Sequence, residues 1–278
     1  KRMIKWLKIF LRNKKDINNM YGLCLLSVVA LRSEAKESSE QISQLIFGDT
    51  FTILKEEGDW TFIKLSFDNY EGWISRKQYI KISSEEYFVL TKSKPLYTSL
   101  PQTKIKIEDI KTSKTHIINA PIGSRLLSKS YRVNFFKIEL LQDYLTPPIK
   151  LTKQSLEEIT RLFDRVPYLW GGKSIFGIDC SGFSQTIFKF FGINLLRDAS
   201  LQITQGEKIE NLSQAKAGDL AFFSSQSGKI THVGILLSNS KIVHASGFVR
   251  TDRIDEKGII REEDKTYSHT LCQINRYF

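Results

Sequence analysis

Apolar and polar positions alternate in short runs over the first half of the chain, then shift to a spacing of three and four after residue 147. From Leu26 to Ile82 the alternating runs break at Gly48-Asp49, Gly58-Asp59 and Asp68-Asn69, which predicts short strands joined by tight turns. "LSVVALR" is expected to be the first strand, Trp60 and Phe62 share a face, and Gly72-Trp73-Ile74 returns the chain to the sheet. Residues 83–146 repeat the β-rich character, with apolar segments at "YFVL", "HIINAPIGSRLL" and "FFKIELL" between Lys/Ser/Thr-rich turns. Pro147-Pro148 cannot continue a ladder, and "TKQS" supplies capping residues for a helix. That helix carries Leu156, Ile159, Leu162 and Phe163 on one face and stops before Pro167. A second helix is predicted from Cys180 to Phe191, with Phe183, Ile187, Phe190 and Phe191 facing a core. "AGDLAFFSS", "KITHVGILLSN", "KIVHASG" and "CQINRYF" then read as consecutive strands, so helices followed by an antiparallel sheet give an α+β domain.

A chain of 278 residues is long enough for two or three modules with a core each. The formal charge of +11 invites a nucleic-acid reading, but the first 20 residues hold seven Lys/Arg and one Asp and leave only +5 for the rest. No Lys/Arg run is interleaved with aromatics, so no nucleic-acid partner is expected; a mild positive balance suits cell-wall material or plain solvated surface. Residues 1–19 form a basic leader with Ile4, Leu7, Phe10 and Leu11 at helical intervals, as in a membrane-surface segment. Since Lys1 is not a start residue and Met20 directly precedes the first strand, an untranslated upstream extension is the other expectation. No run reaches the roughly 18 apolar residues of a transmembrane helix.

Cys24, Cys180 and Cys272 are odd in number and far apart, which signals neither a disulfide framework nor a zinc knuckle. Cytoplasmic location is the first expectation, with the periplasm or envelope as the alternative. An isolated cysteine near a helix start is commonly a small buried residue. Cys180 has more in its favour: at a first turn the unpaired N–H groups and the macrodipole stabilise a thiolate, and the same groups can receive an oxyanion. Gly177 and Gly182 are expected to keep bulk low where the backbone approaches a substrate.

A thiol nucleophile needs a base, and the base needs a support. Of the four histidines, only His232 and His244 are close in sequence, on two strands around "LLSNSK". A hairpin centred on Ser238 puts them directly opposite on one face, whereas a two-residue turn at Asn239-Ser240 puts His244 opposite Ile235 on the other face. A relay therefore requires an odd loop or a bulge. His116 and His269 lack such company and are expected to be solvent-facing strand residues.

"SVVALR", "LIFGDTFTILKEEGDWTFIKL" and "NYEGWISRKQY" resemble a bacterial SH3-like domain over residues 20–82, and residues 83–146 are taken as a second, divergent SH3-like barrel. "PYLWGGKSIFGIDCSGF", "RDASLQ", "GDLAFF", "THVGI" and "KIVHASG" resemble, in order and spacing, the NlpC-type family of papain-like cysteine peptidases, placing that domain at residues 147–278. The resemblance implies an attack by Cys180 on an amide carbonyl, His232 as base and acid, and His244 as the residue that orients it. It implies no metal and no cofactor.

Members with preceding SH3-like domains look like γ-D-glutamyl-L-diamino acid endopeptidases that cut peptidoglycan stem peptides with a free N-terminal L-Ala. By that resemblance Asp198 and an SH3-domain tyrosine hold the peptide amine, and Ser181 contacts substrate. Tyr70, on a turn, is preferred to Tyr79 for the tyrosine. Tyr168 either assists the oxyanion site or packs beneath the nucleophile loop. The expected enzyme is a monomer acting on peptidoglycan-derived peptides in cell-wall recycling. The alternatives are an inactive wall-peptide-binding protein, against which the intact Cys180, His232, His244 set speaks, and a thiol acyltransferase.

Overall fold

The structure is a computed structural model and describes residues 20–278; the basic leader of residues 1–19 lies outside the described residues. Seven strands make the first module: β1 (Met20–Leu23), β2 (Val28–Arg32), β3 (Gln41–Ile46), β4 (Thr50–Glu57), β5 (Trp60–Leu65), β6 (Glu71–Ser75) and β7 (Ile80–Ile82). They form one antiparallel sheet in the order β3-β2-β6-β5-β4-β1-β7. Period-two alternation sends Leu31, Leu45, Phe51, Ile63 and Ile74 into a fully buried core. The chain enters the sheet one strand before the expected "LSVVALR". β1 pairs with β4 and β7, and exposed Leu26 lies with Ser27 in the bend that separates β1 from β2.

In the second module "YFVL" is helical, not a strand. It lies in α1 (Ser84–Lys92), where Ser83 Oγ accepts from the Glu86 N–H while the Glu86 carboxylate accepts from the Ser83 N–H. This capping box outweighs the apolar run, of which only Leu90 is fully buried. The strands β8 (Leu96–Thr98), β9 (Gln102–Asp109), β10 (Thr115–Pro121), β11 (Arg125–Leu126), β12 (Ser130–Val133), β13 (Phe136–Leu140) and β14 (Tyr144–Leu145) follow. They divide into sheets ordered β10-β9-β13-β12 and β11-β8-β14. Ile105, Ile138 and Leu126 share one core with Leu23 and Phe47 of the first module, so the two modules are joined by apolar packing.

The third module opens with α2 (Lys153–Arg161), capped by Thr152. A short hairpin of β15 (Lys173–Ser174) and β16 (Gly177–Ile178) leads into α3 (Cys180–Phe190), followed by the single turn α4 (Ala199–Gln202). The sheet comprises β17 (Glu207–Ile209), β18 (Leu220–Ser224), β19 (Ile230–Ser238), β20 (Lys241–Ser246), β21 (Phe248–Asp255), β22 (Gly258–Ile260) and β23 (Tyr267–Arg276). Its order is β17-β23-β18-β19-β20-β21-β22, and β22 returns to pair with β23, so six strands close on themselves. Phe183, Ile187 and Phe190 of α3 pack on Val233, Ile235 and Val243. β21 and β22 were not expected from the pattern, because the charged and polar residues of "VRTDRID" mask the alternation that buries Val249 and Ile254.

Gly48 fixes the junction of the first two modules: its φ is +86°, and a Cβ there would stand 1.8 Å from the Arg125 carbonyl oxygen. Both strain and collision oppose any side chain. Gly48→Ala is expected to lower the unfolding free energy by more than about 1 kcal/mol, read as a lower urea midpoint.

Candidate active site

The start of α3 is built around a buried carboxylate. Asp179 Oδ1 caps the helix by accepting from the Gly182 N–H at 2.6 Å, and Oδ2 accepts from the Gly171 N–H at 2.9 Å. Arg197 grips the same carboxylate with two parallel bonds, Nη1 to Oδ1 at 3.0 Å and Nη2 to Oδ2 at 2.6 Å. It also donates to Ser181 Oγ at 2.9 Å and to Ser43 Oγ of the first module at 2.9 Å. Cys180 and Ser181 thus start the helix on a rigid footing. The two glycines serve packing and do not line a substrate path. A Cβ on Gly182 would stand 2.3 Å from the Gly172 carbonyl oxygen, and one on Gly177 2.6 Å from Leu169 Cβ.

Burial pushes the Cys180 thiol up to about 12, with the Asp179 carboxylate adding to the rise. The Val233 and Ser181 N–H groups and Arg197 pull the other way. Desolvation thus opposes the thiolate that the dipole of the helix start favours, and a base beside the thiol would assist its deprotonation. Val233 follows His232 on β19, which places the thiol beside the strand of the predicted base.

His232 Nε2 meets His244 Nδ1 at 2.8 Å, and His244 Nε2 meets Asp252 Oδ2 at 3.0 Å. All three are buried. The register that achieves this differs from the directly opposed pair: His244 stands opposite Gly234, with His232 diagonal to it on the same face. A two-residue turn at Asn239-Ser240 is combined with a bulge between Leu236 and Ser238, which restores the shared face. Gly234 makes the diagonal possible, since a Cβ there would come within 2.9 Å of His244 Cβ.

Tautomers follow from the carboxylate. An ionised Asp252 only accepts, so His244 Nε2 carries the proton and its Nδ1 accepts from His232 Nε2. His232 Nδ1 is left as the basic atom. Desolvation, then the neighbouring His244 and His269, hold His232 well below its ordinary range, so it is neutral and able to take a proton. Asp252 is held below the usual carboxylate range by bonds from His244 and Arg250, which outweigh its burial. Arg250 bridges onward to Glu263 at 2.7 Å.

His269 departs from its expected solvent-facing role. Its ring stacks on His232 at 4.1 Å between centroids and 24° between planes, and burial lowers it to about 4. Sequence distance hid it, as β23 returns beside β18 only through the sheet order. His116 is exposed on β10.

A cavity of about 370 Å³ lies in front of Cys180 and is lined by Ser181, Tyr168, Asp198 and Tyr70, among others. The Tyr70 hydroxyl is shared between both Asp198 oxygens at 3.2 Å each, across the boundary between the first and third modules. Asp68 Oδ1 accepts from the Tyr70 N–H while its Oδ2 accepts from Gln185 on α3, so the tyrosine's turn is tied to the nucleophile helix. Tyr79 is engaged elsewhere, with Thr61 and Glu56. Asp198 is raised above its ordinary range by burial, opposed first by Arg197. Among the described residues the Tyr168 hydroxyl has no hydrogen-bond partner, and it faces the same cavity as Cys180.

Four residues of this site escape the sequence pattern: Asp179, Arg197, Asp252 and His269. The first two flank predicted positions in "IDCSGF" and "RDAS", and a buried carboxylate needs a buried cation; that pairing was the available signal.

Comparison with known proteins identifies two of the domains. The NlpC/P60 family matches residues 165–266 and the bacterial SH3 domain matches residues 27–81. A γ-D-glutamyl-L-lysine dipeptidyl-peptidase of Bacillus subtilis (strain 168) is 29% identical over 259 residues, covering 85% of this chain and 81% of that protein. A probable endopeptidase NlpC homolog of Haemophilus influenzae is 44% identical over 93 residues, 32% of this chain and 48% of that protein. The crystal structure of an NlpC/P60 family protein from Bacillus cereus superposes with a TM-score of 0.74 at 21% identity, covering 92% of this chain and 99% of that one. The chain is therefore a hydrolase of the cysteine-peptidase type, with an NlpC/P60-family domain following a bacterial SH3 domain.

Proposed function

We propose that this peptidoglycan peptidase hydrolyses the γ-D-glutamyl-L-diamino acid bond of muropeptides that carry a free N-terminal L-Ala. One observation carries the reading: the Tyr70–Asp198 pair and Cys180 face one cavity, so an amine-holding carboxylate and a nucleophile address the same bound peptide. A terminal ammonium paired with a half-buried carboxylate gains a charge-assisted bond that a blocked amine forfeits. The relative in Bacillus subtilis, whose name specifies a γ-D-glutamyl-L-lysine dipeptidyl-peptidase, supports the choice of bond.

In this reading His232 Nδ1 takes the thiol proton as Cys180 Sγ attacks the γ-carbonyl carbon. N–H groups at the start of α3, with the Tyr168 hydroxyl beside them, receive the oxyanion. Collapse breaks the C–N bond, and His232 returns the proton to the departing amine. Water then attacks the thioester while His232 removes its proton, which releases the dipeptide acid and restores the thiol. His244 and Asp252 keep Nδ1 of His232 aimed and basic throughout. Ser181, fixed by Arg197, borders the substrate.

The same reading takes residues 83–146 as a second, divergent SH3-like barrel and residues 147–278 as a papain-like α+β domain. Its support is a nucleophile helix packed on an antiparallel sheet that bears the histidines. A cytoplasmic recycling role belongs to this proposal and is supported by Cys24, Cys180 and Cys272 all being free.

Three outcomes are expected. N-acetylation of L-Ala-γ-D-Glu-L-diamino acid peptides lowers kcat/KM by about a hundredfold or more, measured by mass analysis of products; indifference to the block would discard the amine-holding role. The acid limb of the kcat/KM profile has its midpoint below 6.5, because a protonated His232 cannot accept the thiol proton and its own pKa is depressed. A limb at or above that value contradicts a neutral base. Asp252→Asn lowers kcat by roughly two to four orders of magnitude with KM little changed, since an amide no longer dictates the His244 tautomer; a drop confined to KM would give Asp252 a binding role instead.

A further inference from the structure

A second cavity of about 140 Å³ lies where all three modules meet, and its lining includes neither Cys180 nor Asp198. Asp49 of the first module, Arg125 of the second, and Lys173 and Lys189 of the third supply its charges. Lys173 is 2% exposed and Lys189 3% exposed. Among the described residues none of the three cations forms an ion pair within 4.0 Å. The Lys189 ammonium has one carbonyl, that of Gly123 at 3.3 Å, and otherwise lies over the Phe67 and Tyr97 rings. Arg125 donates to the carbonyls of Leu90, Thr91 and Ser93 at the end of α1. Among the described residues the Lys173 ammonium has no acceptor at all, although its backbone N–H is held by Gln44.

Three cations thus surround a space lined by one carboxylate, Asp49, which accepts from the Ile46 N–H and whose charge still favours the Lys189 ammonium. The nearby Asp68, bonded to Gln185 and Tyr70, also favours the Lys189 charge, so two carboxylates stand against three cations and one positive charge is left over. Unpaired buried charge is costly, and the depression of Lys189 to about 8 by desolvation reports that cost. At roughly 30 Å³ per water, the cavity has room for about four waters, or for one tetrahedral oxyanion with a water or two.

We propose that this junction binds an oxyanion of the phosphate class, held by Lys173, Lys189 and Arg125, and that the bound anion clamps the three modules together. Because each module contributes to the walls, occupancy is linked to their docking and so to folding.

The test titrates the full chain with inorganic phosphate at pH 7 and fixed ionic strength, against chloride and glycerol phosphate, by calorimetry and thermal scanning. One saturable phosphate site and a rising Tm are expected, with chloride inert. Uptake of glycerol phosphate as well supports an esterified ligand, and its exclusion supports the free ion. Lys173→Met should weaken phosphate binding at least tenfold while its Tm in chloride alone equals or exceeds that of the native chain, since an unpaired charge has been removed. Lys189→Met, judged the same way, serves if the first variant does not fold. Absence of saturable binding by the native chain, or a folded Lys173→Met with unchanged affinity, overturns the proposal.

Discussion

The bidentate bond between Arg197 and Asp179 is the constraint on which the rest of the site depends. Both side chains are almost wholly buried, so each is tolerable only because the other is there. Removing one partner of such a pair costs about 3–5 kcal/mol, far above the value of an exposed ion pair. The pair does several jobs with one geometry. It caps α3, ties the Gly171 turn to that cap, orients Ser181 and, through Ser43, reaches into the first module. Cys180 is therefore held by a charge network one residue away, and Asp198 follows Arg197 directly in the chain. Cys180 and Asp198, the proposed nucleophile and amine-holding carboxylate, are thus spaced by the same ion pair.

Burial sets the chemistry of the reacting groups. The same desolvation that raises the Cys180 thiol lowers His232, so burial pushes both groups toward their neutral forms. In the proposed mechanism a neutral imidazole works as a base only if its basic nitrogen faces the thiol, and His244 and Asp252 are the groups placed to decide this. Burial works against the Asp252 carboxylate, but bonds from His244 and Arg250 hold it below its ordinary range. The relay is a chain of tautomer assignments anchored at one carboxylate. His269, stacked on His232, excludes water from one face of the ring and adds to its desolvation.

Much of this was legible in the sequence because the relevant signals are local. The helix start at Cys180, the strand pair bearing His232 and His244, and the turn bearing Tyr70 each announce themselves by spacing or turn chemistry. The hairpin argument even isolated the need for a bulge, which the structure supplies at Leu237, although the histidines meet diagonally and not face to face. What was not legible depends on long-range closure. Asp252 lies on β21, a strand whose charges conceal its alternation, and His269 lies on a strand brought back by the closing sheet. α1 was mistaken for a strand because an apolar tetrad carries no period of its own, whereas its Ser83–Glu86 capping box decides the conformation.

The first module acts as a wall of the site more than as a tether. Glu40 accepts from the Trp170 indole, Gln41 donates to the Trp170 carbonyl, and Gln44 accepts from the Lys173 N–H, so β3 and the residue before it grip the loop that precedes the nucleophile. Gly171 is part of the same fit, with φ of +73° and no space for a Cβ beside the Gln41 carbonyl. With Tyr70 pinned to Asp198 and its turn pinned to α3, the first module walls one side of the cavity that Cys180 faces. A peptidase domain alone would leave that side open to solvent. On the proposed reading, selectivity for a short peptide with an uncovered amine belongs to the docking between modules and cleavage to the third module, which separates the two properties physically within one cleft.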